Sequence, residues 1–266
     1  MIKTYHKWTA TIAYSWTKSL AYRFNFFLEV IGPVLVFFFV NYNLWTSIYA
    51  GDKDLVIQGY RYKDMINYHA WGLVVGMLAR GYMSGNLAED IRLGRISSYL
   101  IYPFNFWEFQ TASFLGFQGI QLFSTIIAVG VLWFLKILTI TSLATISLGL
   151  IYCVFVGFFW FLTQYLIGLL AFWLDETWIL RVIFALISGF LAGSYFPLDL
   201  YPEWLRTILD YLPFAYVQYY PVKILMGETH LFSKAILMIT VWMIPLGFLV
   251  RYCWSRGLRR YTAAGM

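Results

Sequence analysis

Apolar stretches of about 20 residues recur along the whole chain, and this recurrence constrains the fold more than any other feature. A helix needs ~20 residues to cross the hydrocarbon core of a bilayer. Strands of a membrane barrel would alternate apolar and polar at every second residue, and these runs do not. Of 266 residues, 61% are hydrophobic and 12% charged. A soluble domain carries about 25% charge, so the expectation is an all-α integral membrane protein. It reads as a single domain over residues 1–266.

Six transmembrane helices are predicted, near 24–49, 63–83, 108–135, 143–173, 178–195 and 232–252. Before them, Tyr5, Trp8, Ile12, Trp16 and Leu20 recur at three- and four-residue steps, with Lys3, Lys7 and Lys18 between. That pattern predicts an amphipathic interfacial helix over 1–23, tryptophans at headgroup level and lysines toward anionic lipid. Packing on a protein surface is the other reading. The segment lacks the apolar core and small-residue cleavage site of a signal peptide.

A carboxylate at mid-bilayer costs about 3 kcal/mol on insertion scales, so Glu29 is expected to reach the interface or pair with Arg23. His69, one turn into the second span, reads as a packed histidine. Gly72-x-x-x-Gly76 and Gly189-x-x-x-Gly193 are spacings that let another helix come close or line a path. On the third span Gln110, Gln118, Gln121 and Thr125 share a face, which should look inward because polar side chains in lipid need partners. Cys153 and Cys253 lie in or beside apolar runs and read as packing residues.

Two segments are too polar to span. The first, 84–103, reads SGNLAEDIRLGRISSYLIYP. Asn86 with Glu89 suits a capping box, Gly94 a helix stop, and Pro103 the end of the segment. Leu87 and Ile91 share one face of the resulting short helix, and Glu89, Asp90, Arg92 and Arg95 take the rest. An ordinary charged loop fits the spacing equally well. The second, 196–228, is punctuated by prolines. Asp199 can cap, Pro202 suits a first helical turn, and Leu205, Ile208, Leu209 and Leu212 form a stripe ending before Pro213. It reads as a re-entrant helical hairpin between spans five and six, with a surface loop as the alternative.

Charge sets the orientation. With both termini inside, the inner segments hold Lys3, Lys7, Lys18, Arg23, Arg80, Arg92, Arg95, Arg181, Arg251, Arg256, Arg259 and Arg260. The outer segments hold only Lys53, Arg61, Lys63, Lys136, Arg206, Lys223 and Lys234, which favours cytoplasmic termini. The net charge of +6 therefore reflects membrane edges, not nucleic-acid binding.

No phosphate-binding glycine loop, metalloprotease helix motif, paired-cysteine motif or nucleophile elbow is present. No metal site is expected. The three histidines are far apart, and Ser188 or Ser194 with His69 as a hydrolase pair has no support in the sequence. The midplane looks nearly free of the buried charges that a proton-coupled transporter uses.

Gly85-Asn-Leu-Ala-Glu-Asp-Ile-Arg-Leu-Gly-Arg95 through Leu100-Ile-Tyr-Pro103 resembles the D-I-R-x-G … L-x-x-P segment of ABC-2-type exporter permeases. Phe196-Pro-Leu-Asp199, Leu212-Pro-Phe214 with Pro221, and the tail Gly257-Leu-Arg-Arg-Tyr261 resemble other parts of that family. The resemblance covers nearly the whole chain and is closest to a bacterial branch. It implies the membrane subunit of an ATP-driven exporter in the bacterial cytoplasmic membrane, not an enzyme by itself. A second permease, identical or related, would complete the path, and ATP and Mg would sit on separate ATPase subunits. Segment 84–103 would be the coupling helix, with Leu87 and Ile91 entering an ATPase groove and Glu89, Asp90, Arg92, Gly94 and Arg95 around them. A lipid-like or amphiphilic cargo suits the apolar, aromatic spans. A self-contained secondary transporter or channel is the alternative.

Overall fold

The computed structural model describes the backbone of residues 2–21, 23–50, 52, 54–80, 85–101 and 105–261; the side chains at 2–5, 18–27, 29, 30, 85, 86, 100 and 101 lie outside the description. The expected roles of Glu29 and of the Asn86 cap therefore fall outside it. Among the described residues the structure is helical throughout, and the one strand-like pairing is an isolated bridge between Ile57 and Tyr60. In lipid, helices satisfy their own backbone hydrogen bonds, which is why apolar runs of this length take that form.

The chain begins with α1 (Ile2–Ala21) and α2 (Arg23–Val36), which continues through a π-helical turn (Phe37–Tyr42) into α3 (Asn43–Ile48). Pro33 lies inside α2 and removes one backbone donor; the wide turn follows it, and the Asn43 Nδ2 donates to the Phe38 carbonyl at 2.9 Å. Next come α4 (Tyr62–Arg80), the short α5 (Gly85–Arg92) and α6 (Ile96–Ile101), then the long α7 (Phe106–Phe134) and α8 (Leu143–Leu169). After α9 (Trp178–Leu191), three short helices follow: α10 (Glu203–Leu209), α11 (Pro213–Val217) and α12 (Tyr219–Met226). The 29-residue α13 (Phe232–Arg260) ends the fold.

Among the described residues, four helical stretches are long and apolar enough to cross a bilayer: Ile31–Ile48, Phe106–Phe134, Leu143–Phe172 and Thr229–Arg260. The other two predicted spans differ from these. The α9 helix is apolar but only 14 residues long. The α4 helix has 19 residues but carries more polar groups, and it is largely enclosed: every residue from Met65 to Trp71 is buried. Protein, not lipid, surrounds it, so its polar groups find partners. Asn67 Oδ1 accepts from the Thr139 amide at 2.9 Å, and the Tyr68 hydroxyl donates to the Gly193 carbonyl at 2.7 Å.

The α1 helix packs along α7. Gly116 faces Ile12 and Ser15, and a Cβ at Gly119 would stand 2.9 Å from the Trp16 ring. The segment expected to lie on lipid thus has a protein partner, at two glycines whose three-residue spacing allows the close approach. The polar face of α7 is turned inward as expected: Gln110, Gln121 and Thr125 are buried and Gln118 is half-buried against Gly157, but Gln118 Nε2 and Thr125 Oγ1 find no hydrogen-bond partner among the described residues.

Two apolar clusters hold the helices together. The larger surrounds α4 and takes in α8, α11, α12 and α13. Tyr152 of α8 fastens it, its hydroxyl lying 2.8 Å from the Tyr216 carbonyl and 3.3 Å from that of Ala235. The smaller lies at the α5 end, where Leu87, Ile91 and Ile96 join Phe161, Tyr165, Leu169 and Val250.

Candidate functional site

The charged segment is two short helices hinged at Gly94, whose φ of +73° is a conformation only glycine adopts readily. Gly94 is thus the helix stop that its position suggested. Leu87 and Ile91, expected to enter a partner's groove, are instead 1% and 5% exposed within this chain. The reason is a recess in α8: Gly168 leaves room for the Leu87 side chain, and burying a leucine stabilises by about 2 kcal/mol. The helix is therefore clamped to α8 by its apolar face. What it turns outward is Glu89, Arg92, Leu93 and Arg95, with Leu93 54% exposed. Asp90 is buried, and Arg95 lies 3.1 Å from it and 2.5 Å from Glu89. Arg92 reaches across to Glu176 at 2.7 Å, joining α5 to the turn between α8 and α9. The C-terminal tail closes the same end: Phe172 packs into the space left by Gly257, and Trp254 stacks on Phe106 at 5.2 Å.

Above α5 lies a cavity of about 1020 Å³. Its mouth is formed by Glu89, Arg92, Asp175 and Glu176. Its walls come from α2 and the π turn (Pro33, Phe37), α4 (Leu73, Gly76, Met77), α8 (Trp160, Gln164) and α9 (Arg181, Val182). Among the described residues Gly76 has nothing within 4 Å of where a Cβ would stand, and it lines this space.

The far end is capped by the segment after α9. Gln218, between α11 and α12, donates from Nε2 to the Gly72 carbonyl at 2.8 Å, halfway along α4. A Cβ at Gly72 would stand 3.1 Å from that nitrogen, so glycine admits the amide. Arg80 Nη1 donates to Gln218 Oε1 at 3.3 Å and to Ser194 Oγ at 2.7 Å, and its guanidinium lies 5.1 Å from the Trp160 ring centre. Gly193, at φ +79°, makes the turn under Tyr68, while Gly189 faces only the nearby Tyr195 ring. Among the described residues, then, Gly72 accepts a side chain and Gly193 makes a turn. His69 is stacked on Trp45 at 5.5 Å and edge-on to Tyr68, and it lines the cavity. Ser194 is bonded to Arg80 and Ser188 to the Ala185 carbonyl, so neither forms a hydrolase pair with His69 among the described residues.

Outside the cap, Asp199 does not cap a helix; α10 starts after Pro202 with no side-chain cap. Its carboxylate accepts from the Tyr60 hydroxyl at 2.5 Å and the Tyr219 hydroxyl at 2.8 Å, and it pairs with Lys223 at 3.3 Å and Arg206 at 3.6 Å. Burial alone would raise this carboxyl; the hydroxyl donors and the Lys223 charge outweigh that and hold it below the ordinary range. Burial, reinforced by the carboxylate, pushes the Tyr60 phenol up.

Sequence reasoning missed the cavity's polar roof. Arg80 entered it only as one more inner charge, and Gln218 not at all. An arginine inside an apolar run, next to a polar amide in a proline-punctuated segment, was the available signal.

The chain is thus a multi-helix protein with apolar helices long enough to cross a membrane and a cavity that reaches the charged helix α5. The family model described as ABC-2 family transporter protein matches residues 19–265, and the chain belongs to that family. It is therefore the transmembrane component of an ABC transporter, with ABC ATPase subunits as its partners. Comparisons with curated proteins and with solved structures found no match.

Proposed function

We propose that this chain is the permease of an ATP-driven exporter of lipid-like or amphiphilic cargo, working with a second permease, identical or related. The observation that carries the reading is that one short helix belongs to both the outer surface and the cavity. Glu89 and Arg92 of α5 line the cavity mouth, while the same helix is clamped to α8 by Leu87. A push on α5 from an ATPase would move α8 and the mouth together as a rigid body. The docking surface is Glu89, Arg92, Leu93 and Arg95; Leu87, Ile91 and Asp90 support it from within.

In this reading α4 is the protein-sheltered second span, and α9 is a short fifth span completed by the re-entrant cap. Both termini and α5 face the cytoplasm, by the excess of Lys and Arg on that side. The cavity then opens inward with its outer end closed, the loading state of an exporter.

The test is purification from the native host in mild detergent with mass spectrometry of what comes along. An ABC ATPase should copurify with wild type and be lost with Leu93→Asp. An ATPase with a second, different permease means a heterodimer. A folded chain recovered without any ATPase would favour a self-contained secondary transporter or channel and overturn the proposal.

A further inference from the structure

The roof of the cavity holds a cation whose neighbours are neutral. Among the described residues Arg80 donates from Nη1 to the Ser194 hydroxyl and the Gln218 carbonyl oxygen, lies over the Trp160 ring and is near Tyr195. Among the described residues no carboxylate lies within ion-pair distance of it. The acidic residues lining the same cavity, Glu89, Asp175 and Glu176, sit at its mouth, where Glu89 pairs with Arg95 and Glu176 with Arg92. Arg80 lines the cavity, among the described residues its Nε and Nη2 make no hydrogen bond, and that edge of a guanidinium matches a two-oxygen anion.

The space beside it is too large for an ion alone. At about 1020 Å³ it lies at the upper end of small-molecule sites, and Phe37, Leu73, Met77 and Val182 give it an apolar wall. We propose that the cavity binds an amphiphile with an anionic head, whose phosphate or carboxylate seats on Arg80 while its tail lies along that apolar wall. This deepens the permease reading and rests on it for the word cargo. Binding would draw Arg80 away from Ser194 and Gln218, the two groups of the cap, and so loosen the closed end once the site is filled.

The test uses the purified permease alone in dodecyl maltoside, titrated with dodecyl phosphate and followed by thermal unfolding. Dodecyltrimethylammonium and inorganic phosphate serve as the other two probes. Dodecyl phosphate should stabilise wild type saturably. Arg80→Gln should weaken this at least about tenfold, the loss of one charge-assisted pair. Ser194→Asp keeps the arginine and places a carboxylate beside Nη1, so it should fold and weaken binding by at least about the same factor. Unchanged binding in Ser194→Asp, or equal stabilisation by the ammonium amphiphile, overturns the proposal. Inorganic phosphate as effective as dodecyl phosphate would overturn the amphiphile and leave a site for free anions. No ATPase enters this experiment, so a negative result beside successful ATPase copurification removes the anionic cargo and leaves the permease standing. Positive binding without a copurifying ATPase would do the reverse.

Discussion

Leu87 of α5 sits on Gly168 of α8 so closely that a Cβ on residue 168 would stand 2.8 Å from the Leu87 Cδ2. This contact fastens the charged helix to α8. Gly168→Val should displace α5 and cost about 1–3 kcal/mol by overpacking. The check is thermal unfolding together with ATPase copurification, both of which should fall.

Leu87 and Leu93 lie on opposite sides of the same short segment, and their variants should separate stability from docking. Leu87→Ala removes a buried side chain and should cost about 2–5 kcal/mol. Leu93→Asp changes an exposed position and should leave stability within about 0.5 kcal/mol while abolishing ATPase association. Equal loss of stability in the two variants would contradict this division.

The Arg92–Glu176 pair is exposed on both sides, at 51% and 63% of the side chain. A double-mutant cycle should therefore return less than about 1 kcal/mol of coupling in stability, falling further with salt. A larger effect on transport than on unfolding would show that the pair matters at the cavity mouth and not for folding.

Cavity sidedness can be read with a thiol. Gly76→Cys places a side chain in open space, whereas Cys153 is buried. In a background lacking both native cysteines, a charged maleimide should label residue 76 from the α5 side of the membrane and not from the cap side. Labelling from the cap side would contradict an inward-open cavity.

Asp199 makes the segment between α9 and α10 sensitive to acid. Its folded-state carboxyl is held below the unfolded value of about 3.9, so the stability it contributes is complete above that value and is lost as pH falls through the folded one. Asp199→Asn lacks this dependence and should be about 1–3 kcal/mol less stable near neutrality, with Lys223 left to Glu228 alone and the Tyr60 and Tyr219 hydroxyls without their charged acceptor. Thermal unfolding between about pH 6 and pH 3 should show the difference between wild type and variant shrinking toward the acid end.

The amino-acid sequence by itself determined what depends on local pattern. Run length and apolar content set the long helices, because a backbone in lipid must satisfy its own hydrogen bonds. Gly94, as a helix stop, and the inward polar face of α7 were legible for the same reason: torsional freedom and periodicity belong to neighbouring residues. Which way an amphipathic face turns is not local. Leu87 and Ile91 read as an apolar stripe whether they meet a partner or α8, and only the recess at Gly168, 81 residues further on, decided for α8. The pairing of Arg80 with Ser194 and Gln218 likewise joins residues more than 100 positions apart. No sequence period records such a contact. It exists because the segment after the short α9 turns back to mid-height of α4, and the tertiary structure alone shows a closed roof with a cation in it.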